Sequence, residues 1–294
     1  MTPRPRPKGW CRLAVTTVLG LFQRPGFRPR NNVVPMKRRA FLAGLGSASA
    51  WAVAVRAQDM MRHLDLTSPD MVAAEMTRAD VEAALTSHQT DFTGKRLSGL
   101  DLSGLDLSGV VLRAARLNKT KLNDTKLDGA VLDQAWLLDA DLSHASLRKA
   151  NIVAAQMQRA KLDGADLSGA RITADMTRAS LVGTVLTDAN LSADNQSMGL
   201  MRAVLQSANL SGANLRHADL SGANLEFASL VTADLTGASL RDALLGGANL
   251  TATTVTGADF FGADLASARL AKAIGLDAAK NFEQAMNRDR LLRE

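Results

Sequence analysis

From Phe92 to Ile172 a large apolar side chain occupies every fifth position without a miss, seventeen positions in all. Neither common secondary structure can use that spacing. On a helix, at about 100° per residue, steps of five turn the marker by roughly 140° each time and scatter it around the cylinder. In a flat strand, side chains alternate between faces, so every fifth residue would point to opposite sides in turn. Each five-residue unit must therefore contain its own bend. A chain that bends by a similar amount at every unit winds into a coil, as short sequence periods do in solenoids.

The beat is interrupted twice. Ile172 is followed by Met176, a step of four, before Leu181, Leu186 and Leu191 resume it. Between Leu191 and Leu205 there are fourteen residues where fifteen are due, which makes Ser192 to Arg202 the expected irregular loop, holding two imperfect units. From Leu205 to Leu270 the beat holds for fourteen further positions, and the residue two before each is Ala except at Thr253.

The cleanest units are Ala208-Asn209-Leu210-Ser211-Gly212, Ala213-Asn214-Leu215, Ala218-Asp219-Leu220-Ser221-Gly222 and Ala223-Asn224-Leu225. Each reads small, Asp or Asn, Leu, polar, often Gly. This resembles the pentapeptide-repeat family, whose motif is A(D/N)LXX, over about residues 90–273. The resemblance implies an all-β solenoid: a right-handed quadrilateral parallel β-helix with four units per coil, the Leu and the Ala two before it facing inward. Leu would supply buried apolar area and Ala would keep the tube narrow. Gly at unit ends, as at Gly94, Gly99, Gly104, Gly109, Gly164, Gly169, Gly222 and Gly262, permits positive φ at corners. About 37 units make roughly nine coils, a stack of about 45 Å if strands lie about 4.8 Å apart.

Short capping helices are expected at both ends. Ser68-Pro69-Asp70 reads as a helix start, and Thr77-Arg78-Ala79-Asp80 opens a second helix to about His88, with Val81, Ala84 and Leu85 on one face. They would cover the first coil of a repeat region over 91–273. At the other end, Leu276 to Leu292 places Ala279, Phe282, Ala285 and Met286 on one face and predicts a closing helix within 274–294.

Charge changes the picture of the N-terminus. The whole chain has a formal net charge of +6, but residues 1–57 hold 11 Lys and Arg and no acid, so residues 58–294 carry 24 basic against 29 acidic residues, a net −5. Within the basic segment, Arg38-Arg39-Ala40-Phe41-Leu42 precedes an apolar stretch, Ala43 to Val55, and then Val55-Arg56-Ala57. This resembles a bacterial twin-arginine (Tat) signal over 36–57, with Arg38, Arg39, Phe41 and Leu42 as export residues and cleavage after Ala57. It implies recognition by the Tat translocase and a periplasmic or exported product; a cytoplasmic protein, or one anchored by an uncleaved signal, is the alternative. Residues 1–35, rich in Pro and Arg, read as a disordered extension upstream of a start at Met36. The only cysteine, Cys11, lies there, so the remaining chain has no disulfide or Cys-ligated metal. Residues 58–90 complete the N-terminal cap.

Residues twenty apart sit on one another in such a coil, which makes the outside readable. Asp101, Lys121, Asp141 and Lys161 form a column of alternating sign, with Asp106 over Lys126 and Asp128 over Arg148. Their expected role is coil stability and solubility. Outward apolar residues are rarer. Val111 stacks on Val131, and Trp136 with Leu138 lies around the next corner, giving a candidate interface on two adjoining faces; Phe227 and Phe261 are isolated cases.

No catalytic, cofactor-binding or metal site is expected. His63, His88, His144 and His217 are scattered, without metal-ligand spacing, a nucleophile elbow or a phosphate loop, and a tube filled with Leu and Ala leaves no substrate room. The reading is a non-enzymatic exported scaffold that binds a protein or envelope component, a homodimer included, rather than nucleic acid. The alternative comes from the family: a cytoplasmic DNA mimic that inhibits DNA gyrase. A charge of −5 laced with Lys and Arg is a poor phosphate mimic.

Overall fold

The computed structural model describes residue 65, residues 68–193 and residues 201–292. The chain falls into two compact units, Met1–Ala48 and Ser49–Glu294, and the described residues all belong to the second. The twin-arginine segment, the Ala57 cleavage site and the 1–35 extension lie outside them.

The described chain is a right-handed quadrilateral β-helix. The residue before each inward Leu bridges in parallel to its counterpart one coil on: Asp91 to Val111, Arg96 to Arg116, Asp101 to Lys121 and Asp106 to Lys126. These four define the first to fourth faces of the first coil. Followed through the described residues, they continue as three columns of ten bridged positions and one of nine, so the tube has nearly ten coils rather than nine.

One unit explains the shape of all the others. Leu112 donates its N–H to Val131 O at 2.7 Å, and Ala114 donates to Asp133 O at 2.8 Å, both one coil on. Ala115 N–H then returns to Leu112 O at 3.0 Å, closing a β-turn. The third residue of that turn, Ala114, has φ 53°, the left-handed conformation of a type II turn. Each regular corner repeats this, with Gly at some and Asp, His, Lys or Phe at others. Inside, the Leu of each regular unit and the Ala two before it are sealed from solvent; a fully buried Leu contributes roughly 1.5–3 kcal/mol. Where Thr replaces Ala, its hydroxyl finds a carbonyl: Thr120 to Leu97 O at 2.9 Å, Thr184 to Leu162 O at 3.0 Å and Thr253 to Leu230 O at 2.6 Å, each one coil back, and Thr125 to Leu122 O of the preceding unit at 2.6 Å.

The two interruptions fall at one corner, between the first and second faces, in consecutive coils. The four-residue step lies in β2 (Arg171–Asp175), which pairs in parallel with β1 (Asn151–Gln156). The missing residue is the left-handed corner residue. Without it the chain runs straight through, Ile172, Thr173 and Ala174 are all buried, and the register slips between Val153 and Gln156. In the next coil, Asn190 is the last bridged residue of the first face and Val204 the first of the second, pairing with Asp175. The stretch around Ser192 to Arg202 is therefore an insertion at one corner, fourteen residues from Asn190 to Val204 where five suffice. It does not hold two imperfect units of the coil.

The C-terminal segment also differs from expectation. Residues 274–292 form no closing helix. Ile274, Lys280, Met286 and Leu292 bridge to Thr254, Asp259, Asp264 and Arg269, so the tube continues for one more turn in six-residue units. Three 3-10 turns, Leu276–Ala278, Phe282–Gln284 and Arg288–Arg290, form its corners, each entered through a left-handed residue: Gly275, Asn281 and Asn287. Leu276 and Phe282 fold against the core, and the Phe282 ring meets Phe260 edge-on at 5.6 Å.

The N-terminal end is closed as the sequence predicts. Helix α1 (Pro69–Val72) lies against the corner that follows the second face, where Met71 O meets Asn118, and α2 (Arg78–Thr86) covers the first coil with Val81 and Ala84 buried. Helix α2 starts in a capping box: Thr77 Oγ1 accepts from Asp80 N–H at 3.2 Å, and Asp80 Oδ2 accepts from Thr77 N–H at 2.8 Å.

Candidate interaction surface

The sequence-predicted patch occupies the first and second faces of the second and third coils. Val111 and Val131 are bridge partners on the first face, both half-buried. Trp136 is half-buried on the second face, between Arg116 and Gln156. Val111 and Val131 stack on one face, and Trp136 stands on the adjoining one. Leu138 does not join them as an exposed residue: it is only 6% exposed, because α1 lies over it. Phe227 and Phe261 stand exposed and apart, Phe261 under the Arg241 guanidinium at 4.5 Å.

The way α1 is held was not visible in the sequence. Asn118, buried, donates from its side chain to Met71 O at 3.1 Å and accepts Leu138 N–H at 3.0 Å, joining helix, second coil and third coil through one amide. An Asn at an outward repeat position looks like any other polar residue, so no sequence signal marked it. Downstream, Glu75 donates its N–H to Arg96 O at 2.9 Å, and its carboxylate pairs with Lys95 at 3.3 Å and Arg96 at 3.4 Å. The Lys95 ammonium holds the Glu75 carboxyl below its usual value.

Beside α1, a depression of about 220 Å³ is lined by Met71, Val72, Asn118, Leu138, Asp139 and Arg159, among others. Its lining mixes apolar Met71, Val72 and Leu138 with charged Lys119, Asp139 and Arg159. Arg159 grips Asp139 with two hydrogen bonds of 2.7 Å and, with Lys119 nearby, lowers the Asp139 carboxyl. Lys119 adds a second cation to the lining.

The charge columns are mostly as expected. Lys121 pairs with Asp101 at 3.2 Å and Lys126 with Asp106 at 3.5 Å. Asp141 and Lys161 stack as bridge partners in the same column; Arg148 departs from its column, its guanidinium turning to Asp166 at 2.6 Å while Asp128 accepts the Arg148 backbone N–H at 3.0 Å and the Ser146 hydroxyl. Among the described residues no group of His, Cys, Asp or Glu is arranged to hold a metal ion, and no helix is long and apolar enough to cross a membrane.

The repeat geometry and the sequence agree with one family. A family profile for pentapeptide repeats matches eight copies between residues 96 and 193 and between 200 and 274. The chain belongs to the pentapeptide-repeat family. Among solved structures it is similar to HetL, a pentapeptide repeat protein of heterocyst differentiation regulation from the cyanobacterium Nostoc sp. strain PCC 7120, at 28% identity over 74% of this chain and 99% of that one, with a TM-score of 0.43. It is also similar to QnrB1, a plasmid-mediated fluoroquinolone resistance protein, at 15% identity over 65% of this chain and 90% of that one, with a TM-score of 0.46. A third, the Nostoc pentapeptide repeat protein alr5209, is 33% identical over 34% of this chain and 80% of that one, with a TM-score of 0.32. No curated protein matches.

Proposed function

We propose that this pentapeptide-repeat protein is an exported, non-enzymatic scaffold that binds a protein or envelope component through the surface around Val111, Val131 and Trp136. The observation that carries the reading is the contrast between inside and outside. The tube is packed solid with Leu and Ala, so its outer faces are the seat of any recognition, and there an indole with two stacked valines breaks a pattern of Asp, Asn, Ser and paired charges. The mixed-sign columns, Lys121 on Asp101 and Lys126 on Asp106, argue against a phosphate-mimicking gyrase binder.

Export is the second half of the proposal and rests on Arg38, Arg39, Phe41 and Leu42 ahead of an apolar stretch. Replacing Arg38 and Arg39 by Lys should leave the protein uncleaved in the cytoplasm on fractionation; unchanged export overturns that half. Trp136→Ala should lose the partners captured from the envelope fraction by the wild-type chain. Identical capture by both proteins would sink the assigned surface.

A further inference from the structure

The depression beside α1 lies at the corner that follows the second face, where four successive coils place Gly99, Lys119, Asp139 and Arg159 in one column. All four are left-handed, at φ 73°, 57°, 56° and 59°. Gly99 leaves the first of these corners bare: a Cβ there would meet nothing within 4 Å. No side chain of the first coil's corner therefore fills the depression, and the other three corners are charged.

Those charges do not balance. Arg159 takes both oxygens of Asp139, each at 2.7 Å, whereas exposed Lys119 forms no ion pair with a described residue and acts on Asp139 only as a neighbouring charge. Two cations, Lys119 and Arg159, against the one carboxylate of Asp139 leave the lining at a net +1. The rest of the lining is largely apolar: Met71 and Leu138 are each 6% exposed, and Val72 stands 47% exposed on α1. A ligand that meets both features carries one negative charge and an apolar body, since the charge needs a partner on leaving water and the body removes apolar surface from it. At about 220 Å³ the space is below the roughly 300–1,000 Å³ of drug-sized sites, which suits a single short chain.

We propose that this depression is a binding site for a small monocarboxylate with an unbranched alkyl body, its carboxylate on the Lys119 ammonium and its chain against Met71, Val72 and Leu138. A cation with a carboxylate makes the shorter, stronger class of hydrogen bond, and the apolar wall selects against acids without a body. Trp136, Val111 and Val131 do not line the site, so it is a second site and stands apart from the protein-binding reading.

Titration calorimetry of the full-length chain with octanoate, acetate and octyltrimethylammonium tests it. Octanoate should saturate one site, while acetate, which lacks the body, and octyltrimethylammonium, which reverses the charge, should each bind at least tenfold more weakly. Lys119 and Val72 are exposed, so both can be changed without opening the tube. Lys119→Gln should weaken octanoate about tenfold and remove most of the salt dependence of its affinity; Val72→Asp should weaken it as much. Lys149→Gln, at an exposed corner that follows the fourth face, should leave it unchanged. Absence of octanoate binding, equal binding of the cationic amphiphile, or the same loss in Lys149→Gln as in Lys119→Gln overturns the site. No partner protein enters the titration, so any of these results leaves the reading of the Trp136 surface standing.

Discussion

Phe227 has φ 58° and lies at a corner where Gly would be unstrained, yet its ring is placed by the glycine twenty residues on. A Cβ on Gly247 would meet the Phe227 ring at 2.6 Å, and Cβ atoms on Gly164 and Gly237 would meet the rings of His144 and His217 at the same distance. A bulky left-handed corner residue thus folds over the bare corner of the next coil. Gly247→Ala should cost about 1–2 kcal/mol for the left-handed backbone alone, with the ring overlap in addition. Phe227→Ala in the same chain should recover the overlap and leave the backbone cost, which thermal unfolding of the double-mutant cycle can separate. Thr232, β-branched at φ 58°, is the converse case: Thr232→Gly should gain about 1 kcal/mol.

The Asp or Asn before each Leu has an equally local role. Asp101 Oδ1 accepts the Ser103 N–H at 3.1 Å and the Ser103 hydroxyl at 2.6 Å, and Lys121 reaches its other oxygen. The Ser103 hydroxyl and N–H, then Lys121, push the Asp101 carboxyl down from 3.8 to about 2. Because its pKa is depressed in the fold, its stabilisation is present above pH 3.8 and fades as pH falls toward 2. Asp101→Asn keeps the oxygen acceptor and removes the titration. Its thermal midpoint should match wild type near neutrality and fall less steeply through that acid window.

At the scale of elements, what the sequence reveals depends on whether a residue's partner is one unit or one coil away. The regular units were legible because the inward Leu and Ala repeat locally, and the capping box at Thr77 and Asp80 is equally local. The corner insertion was not. Fourteen residues from Leu191 to Leu205 look like three units less one, and the bridge from Asp175 to Val204 is needed to see otherwise. The C-terminal turns misled for a different reason. Their half-buried side chains, Ala273, Leu276, Ala279, Phe282, Ala285, Arg288 and Leu291, recur every third residue, a spacing a helix face shares, while Gly275, Asn281 and Asn287 hide the inward beat. In the candidate surface, the stacking of Val111 on Val131 followed from the period, whereas the burial of Leu138 depended on a helix docked by Asn118. Phe282→Ala removes the edge-on contact with Phe260 and should loosen the last turn selectively. Hydrogen exchange should quicken across 258–292 and stay unchanged across 111–170; uniform quickening would mean that the terminal turn is not an independent cap.

At the scale of the whole described tube, each coil touches only the coils beside it, so stability is a sum of coil terms and neighbour terms, as in other solenoids. Two features interrupt the middle: the corner residue lost at Arg171–Asp175 and the insertion between Asn190 and Val204. Leu186 lies in the coil between them and is fully buried, so Leu186→Ala should cost about 2–5 kcal/mol at the one place where the two regular runs are joined. Trp136 reports only the N-terminal run, while far-ultraviolet circular dichroism reports both. In a chain carrying Trp10→Phe and Trp51→Phe, which leaves Trp136 as the sole indole, urea should unfold both signals together, since well-packed coils couple strongly. With Leu186→Ala added, the dichroism should begin to fall at lower urea than the Trp136 emission, because the C-terminal run then melts without taking its neighbour along. The same truncation at Leu142, inside the run that Trp136 reports, should move both signals without parting them in that order. Coincident transitions in Leu186→Ala would show that the irregular corner couples its neighbours as tightly as a regular one.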